Sequence, residues 1–226
     1  MEEFLSQIKI QVNEKIYLKD PDSSEIGRNI ISNSISLIEE LGFDEFTFKK
    51  LGKKIGSSES TIYRYFESKH FVLLYLSAWY WSWLEYKLVF STANIASPKE
   101  RLEVAIKLLS AHVNVDSEFS YINEVALYRI VVAESSKSYF KKGVEIENKK
   151  GMFSVYTRLV ERVSEMVLVL NPNFKYAHML ISTVIEGSHQ QKHFATHLPS
   201  LTDYKKGEDY ISDFYVQMVF SMINEK

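Results

Sequence analysis

Two groups of side chains in this sequence have the types and spacing for chemistry. The first is basic. Residues 46–70 read FTFKKLGKKIGSSESTIYRYFESKH and carry Lys49, Lys50, Lys53, Lys54, Arg64 and Lys69 against Glu59 and Glu67. The segment is therefore +4 inside a chain of formal net charge −2. Such a patch suits a polyanion, although a basic run by itself is often only a solvated helix face. The second group is His178, His189, His193 and His197. Positions 189, 193 and 197 are four apart, and Glu186 stands three before the first. Histidines four apart on one helix can bind zinc. However, no His-Glu-x-x-His occurs, and Pro199 predicts a helix end near 194 that turns His197 away. We read these side chains as hydrogen-bonded structural or pocket histidines, and expect no metal and no cofactor.

Little else offers catalysis. No nucleophile elbow or phosphate-binding glycine loop is present, and pairs such as Glu39-Glu40 fall on faces that read as exposed. The absence of cysteine excludes disulfides, thiolate metal sites and a cysteine nucleophile. No enzyme is expected; a metal-dependent one built on the late histidines stands only as an alternative.

The elements that position these groups read as helices. Apolar residues recur at three and four, clean alternation is rare, and Asn-Gly and Asp-Gly turns are absent. With 226 residues, 46% of them apolar, the chain can bury a real core. The amino terminus lacks the pattern of a signal peptide. The longest charge-free apolar run, Phe71 to Leu84, is 14 residues, short of the roughly 20 that span a bilayer. These features point to a soluble, cytoplasmic protein with no membrane partner.

Along the chain, residues 4–18 read as a short helix or a loose arm. Asp22 with Glu25 predicts a capping box for a helix that runs to about Leu41 and stops at Gly42. Thr47 is the expected cap of a short helix to Ile55, and Ser58 that of another from Glu59 to Phe66. A long helix follows from Lys69 to about Phe90. Ser97-Pro98-Lys99-Glu100 predicts a helix start with its end near His112. Further helices are expected near 118–135, 147–170, 174–193 and 207–223.

Two short helices joined by a glycine turn are a helix-turn-helix. Gly52 lets the second approach the first, and Gly56 permits the turn. Phe48, Leu51, Ile55, Ile62 and Phe66 face inward. The outer face of the second helix offers Glu59, Ser60, Thr61, Tyr63 and Arg64.

At Gly42-Phe43, Thr47, Leu51, Gly56, Ser58, Thr61-Ile62-Tyr63-Arg64-Tyr65-Phe66 and Ser68-Lys69 the sequence resembles the tetracycline-repressor-like (TetR/AcrR) family. The preceding Ile30-Ile31 and Leu37-Ile38 agree, and the close match covers about 28–76. The resemblance implies an all-α bacterial regulator with an N-terminal three-helix DNA-binding domain (23–70) after an arm (1–22). A helical ligand-binding and dimerisation domain (71–226) follows. It implies Thr47 and Lys49 beside the DNA backbone, with Glu59, Ser60 and Thr61 at the recognition tip. Tyr63, Tyr65 and Lys69 would meet phosphates, and Arg64 a phosphate or a base. Ser57, Gly52, Asn33 and Ser34 depart from the family's usual valine, alanine and small apolar residues. Glu59 is the departure that bears most on a contact, since it sets a carboxylate beside a polyanion.

In the remainder, Phe71, Tyr75, Trp79, Trp83, Tyr86 and Phe90 form an aromatic stripe. It is either packed core or the wall of a pocket for a small apolar or aromatic effector, with Tyr75, Trp79, Trp83, Tyr128 and Tyr156 as candidate lining. Leu180, Ile181, Val184, Phe214 and Met218, on the last two helices, are the expected homodimer interface. Operator DNA, an effector and a second copy are the implied partners. The implied function is a sequence-specific regulator, a repressor released by its ligand. The alternative is a DNA-bound structural or division-control protein of the same fold without a ligand switch.

Overall fold

The computed structural model describes residues 10–111, 121–205 and 207–224. Among them there is no strand. The helices are α1 (Glu25–Leu41), α2 (Phe48–Lys54), α3 (Glu59–Tyr63), α4 (Lys69–Thr92), α5 (Pro98–Ser110), α6 (Glu124–Glu134), α7 (Ser136–Tyr139), α8 (Val144–Lys149), α9 (Ser154–Leu170), α10 (Ala177–His197) and α11 (Tyr210–Asn224). They fall into two compact units. One holds residues 10–82 and 121–155, the other residues 83–111 and 156–224. None of the described helices is long and apolar enough to cross a membrane.

In the first unit α1 buries Ile30, Ile31, Ile35, Leu37 and Ile38, the broad face its sequence predicts, and packs against α6. Its start differs from expectation. Asp22 does not cap it: Asp20 caps a 3-10 turn at Pro21–Ser23. The chain then becomes extended at Ser24, whose Oγ accepts from Gly27 N at 3.2 Å. Asp22 is left to accept from the Tyr121 hydroxyl at 2.6 Å. Gly27 is needed because a Cβ there would overlap the Pro21 carbonyl. Gly42, at φ 78, ends the helix as predicted. Of the expected arm helix, residues 4–9 lie outside the described residues; the rest forms only a 3-10 turn at Glu14–Ile16.

Helix α4 is apolar on all sides, and Val72 to Trp81 are buried without interruption. The Tyr75 ring meets Phe66 edge-on at 5.6 Å and Tyr17 at 6.2 Å. The Trp79 side chain hydrogen-bonds Tyr121, and Tyr80 lies 6.2 Å from Tyr128. Tyr75, Trp79 and Tyr128 are thus packed core of this unit. Burial raises the hydroxyl pKa of Tyr75 and of Tyr128 above the usual tyrosine range, so both remain neutral.

The helix expected at 118–135 begins at Glu124, with Asn123 accepting from Ala126 N at 3.0 Å; 118–120 lie outside the described residues. The helix expected over 147–170 is two, α8 and α9. Gly151 at φ 74 turns the chain between them, and the Asn13 amide donates to its carbonyl at 2.7 Å.

In the second unit Ser97 caps α5, its Oγ accepting from Glu100 N at 3.3 Å. The helix ends at Ser110, and His112 lies outside the described residues. Helices α5, α10 and α11 pack on one another. Gly187 leaves room for the Tyr215 hydroxyl, which a Cβ would overlap. The Arg158 Nε donates to Glu85 at 2.8 Å, and Arg162 lies 3.4 Å from the same carboxylate. Burial pushes the Glu85 carboxyl up, but the two guanidiniums outweigh it and hold the pKa below the ordinary value. Trp83 is core in this unit, and the half-buried Tyr156 donates to Glu186 at 2.7 Å.

Three expected interface residues are corrected here. Leu180, Ile181 and Val184 are buried inside their own unit, because α10 turns that face onto α5 and α11. Phe214 is 57% exposed and Met218 partly so; Met179 and Met222 are the other exposed apolar residues of these helices. Helix α10 also runs past its expected end, to His197. His193 and His197 stack at 4.5 Å, whereas His189 is buried. Among the described residues no group of three or more histidine or carboxylate side chains is gathered for a metal.

Candidate nucleic-acid interface

The reading head is built by caps and close approaches. The Thr47 Oγ1 accepts from Lys50 N at 3.2 Å and starts α2. Gly56, at φ 65, makes the turn. The Ser58 Oγ accepts from Thr61 N at 3.3 Å and starts α3. Leu51, Ile62 and Phe66 are fully buried between the helices. Helix α3 is shorter than predicted. It closes at Tyr63, and the amides of Tyr65 and Phe66 both return to the Ile62 carbonyl. This tightened turn lets two adjacent rings enter the core.

The approach of α3 to α2 depends on Gly52. A Cβ there would lie 2.7 Å from the Ser57 carbonyl oxygen, and a backbone atom cannot swing aside. Gly52→Ala is expected to push α3 outward and to cost about 1–3 kcal/mol, as overpacking does. Thermal melting reads the cost; an unchanged melt would show that the turn yields freely.

The head is pinned to the rest of its unit at the α1–α2 turn. Glu134 accepts from Phe43 N at 3.1 Å. The Lys137 ammonium joins Asp44 at 2.7 Å to Glu134 at 2.8 Å. That hydrogen bond and charge lower the Asp44 pKa. Arg129 pairs with Glu39 at 2.7 Å. Near the start of α4, His70 lies 3.0 Å from Glu147, and burial pushes its pKa below the ordinary histidine value despite that carboxylate.

The side chains expected at DNA divide into three sets. Glu59, Ser60, Tyr63 and Arg64 are exposed on or beside α3, and Thr61 is partly exposed. Tyr63 is steadied by its ring, which meets Phe48 edge-on at 4.9 Å. Ser60 and Thr61 reach the Ser58 hydroxyl at 2.7 and 3.1 Å, so the tip is a small hydroxyl cluster. Thr47 and Lys49 are exposed at the start of α2.

Two residues are placed otherwise. Tyr65 is buried, its hydroxyl 2.8 Å from Ser24 Oγ; it holds α1 to the head and offers nothing to a phosphate. The Lys69 ammonium donates to the carbonyls of Phe43 at 3.0 Å and Asp44 at 2.7 Å, and sits 4.9 Å above the Phe43 ring. It closes the turn after α1, which commits two of its three N–H donors to the protein itself.

The six cations of the segment are therefore unequal. Lys50 pairs with Glu45 at 3.0 Å, and Lys54 binds Ser36 at 2.7 Å. Lys49, Lys53 and Arg64 are exposed and make no ion pair among the described residues. Lys53 is one of the six cations but not one of the contacts the resemblance implies. Its spacing, four residues after Lys49, is the signal that sets the two on one side of α2.

A separate hollow of about 560 Å³ lies in the second unit, bounded by Gln191, Leu201, Asp203, Tyr210, Phe214 and Gln217 among others. None of the five aromatic residues expected to line an effector pocket borders it.

Comparison with known proteins agrees with this geometry. No curated protein matches the chain by sequence. The fold is similar to that of the fatty acid degradation regulator FadR from Bacillus halodurans, at 15% identity and TM-score 0.57, over 88% of this chain and 96% of that one. It is equally similar to FadR from Bacillus subtilis, solved with stearoyl-CoA, at 16% identity and TM-score 0.57 over 86% and 97% of the two chains. AibR, solved with isovaleryl coenzyme A and operator DNA, aligns at 14% identity and TM-score 0.56 over 85% and 98%. Residues 30–76, from the middle of α1 into α4, match the family model for bacterial regulatory proteins of the tetR family. The helix-turn-helix domain of this chain is thus of the kind that this family model describes.

Proposed function

We propose that the protein is a sequence-specific DNA-binding transcriptional repressor that acts as a homodimer and is released by a small apolar or aromatic ligand. The observation that carries the DNA reading is the tip of α3. Ser60, Tyr63 and Arg64 stand exposed there, with the uncommitted ammoniums of Lys49 and Lys53 on the neighbouring helix. Hydroxyls and a guanidinium at that place can reach base edges while lysines hold phosphates. In this reading residues 23–70 bind DNA and 71–226 dimerise and take the effector. Two heads about 34–36 Å apart would read successive major-groove faces. Phe214 and Met218, with Met179 and Met222, are the side chains we assign to the contact between copies. An effector acts by binding better to a form that cannot span both grooves.

Selection of random DNA on the purified protein tests the proposal. Enriched inverted repeats are expected, and no enrichment would overturn it. On such a site, Arg64→Ala is expected to weaken binding by about 1–3 kcal/mol and to relax one base position. Lys49→Ala is expected to weaken all sequences alike and lower the salt slope by about one. Unchanged slopes in titrations of both variants would remove these residues from the interface.

A second reading keeps DNA binding and drops the ligand switch. The complete burial of Trp79 and the near burial of Tyr128 favour it, because packed rings leave an effector no room at the stripe.

A further inference from the structure

We propose that residues 136–150, outside the helix-turn-helix, form a second contact with the DNA backbone through Lys142, Lys149 and Lys150; the inference rests on the DNA-binding reading above. The segment reads SKSYFKKGVEIENKK and carries five lysines against Glu145 and Glu147, so it adds +3 in a chain of net charge −2. It is remote from the reading head in sequence, yet it belongs to the same compact unit. Two fastenings hold it there. The Lys137 ammonium meets Asp44 at 2.7 Å in the α1–α2 turn, three residues before the Thr47 cap. The Lys141 ammonium lies 2.8 Å from Glu147 and 3.0 Å from Nε2 of His70, the residue after Lys69.

These fastenings sort the charges. Lys137, Lys141 and Glu147 are paired on the side that meets the head. Lys142, Lys149 and Lys150 are exposed and make no ion pair among the described residues, and Glu145 is the one carboxylate beside them. Gly143, at φ 82, turns the chain after Lys142. Helix α8 and its cap then set Lys149 and Lys150 three and four residues beyond Ile146, on a side that is open, since Ile146 is 62% exposed. A duplex held by Lys49 and Arg64 carries one charge per about 1.7 Å of its axis beyond the bases that are read. Lysines flanking the head on the same unit can therefore neutralise phosphates and release counterions without touching a base. The exposed Phe140 and Ile146 could instead suit a lipid surface. However, α7 and α8 are four and six residues long, too short to lay a continuous apolar face on a bilayer.

The test titrates the full-length protein by fluorescence anisotropy against two duplexes over a range of salt. One is the inverted repeat recovered by selection, with flanking DNA, and the other is an unrelated sequence of the same length. Lys142→Ala, Lys149→Ala and Lys150→Ala combined are expected to lower the salt slope by about one per lysine removed, and to weaken both duplexes about tenfold at low salt. The sequence selected should stay the same, because no base edge is touched. Glu145→Lys is expected to steepen the slope. Lys175→Ala, exposed in the second unit, should leave it unchanged, and all these variants should melt with the parent. An unchanged slope in the triple variant, while Lys49→Ala still lowers it, would overturn this contact and leave the reading head standing. A parent protein that binds neither duplex would overturn both. Binding to phosphatidylserine vesicles that is lost in Phe140→Ser, with the DNA slope of the triple variant unchanged, would assign the segment to a membrane and overturn the proposal.

Discussion

Phe66→Ala is expected to cost the protein about 3–5 kcal/mol, the usual penalty for deleting a fully buried aromatic ring. Phe66 has no exposed surface. Its ring is held edge-on by Tyr75 at 5.6 Å, and its amide closes the turn after α3 on the Ile62 carbonyl at 3.1 Å. Removing the ring opens a void where α3 meets α4, in a fold whose net stability is only about 5–15 kcal/mol. Urea unfolding should show a large drop in midpoint, and selected DNA should no longer bind. Phe66→Leu, which keeps most of the volume, is expected to lose less than about 1.5 kcal/mol. Equal losses for leucine and alanine would mean that the ring is not packed as described.

The second large effect concerns acid and base. Lys192 is buried in α10, its ammonium donating to the Ala111 carbonyl at 2.8 Å. Burial pushes its pKa down to about 7, against an opposing pull from Asp209. An unfolded lysine titrates near 10.5. Between pH 7 and that value the unfolded chain holds a proton that the folded chain lacks, so stability rises with pH across this window. Below pH 7 both states are protonated and the folded state carries the full cost of a buried ammonium. His189 acts in the same direction. Burial, with the charge of Lys192 beside it, lowers its pKa from 6.5 to about 3, so folding gains stability from about pH 3 up to 6.5.

Lys192→Met keeps the apolar stem and removes the charge. Its melting temperature is expected above that of the parent at pH 6, by an amount on the order of a few kcal/mol in stability. Toward pH 10 the order should reverse by about 1 kcal/mol, the worth of the lost hydrogen bond to Ala111. Parallel melting curves across that range would rule out a titrating lysine at this site.

The caps and turns were legible because they are local. Thr47, Ser58 and Ser97 each meet an amide three residues on, and Gly42 and Gly56 take the backbone their positions demand. The capping box at Asp22 failed for a tertiary reason: Tyr121, 99 residues away, claims that carboxylate. The helix over 147–170 failed at Gly151, where apolar periodicity on both sides hid a turn that Asn13 holds.

What the sequence determined by itself is the all-helical architecture, the helix-turn-helix and the register of its two short helices. Each of these rests on spacing of three and four residues and on side chains that cap their own helix. What only the tertiary structure decided is which members of each face are spent. Lys69 gives two of its donors to backbone carbonyls, Tyr65 is taken by Ser24, and Leu180, Ile181 and Val184 by their own core. Lys49, Lys53 and Arg64 are left to act. Periodicity tells that a helix has an apolar or a charged side, but burial and pairing depend on what comes to lie against that side, and those partners are distant in the chain.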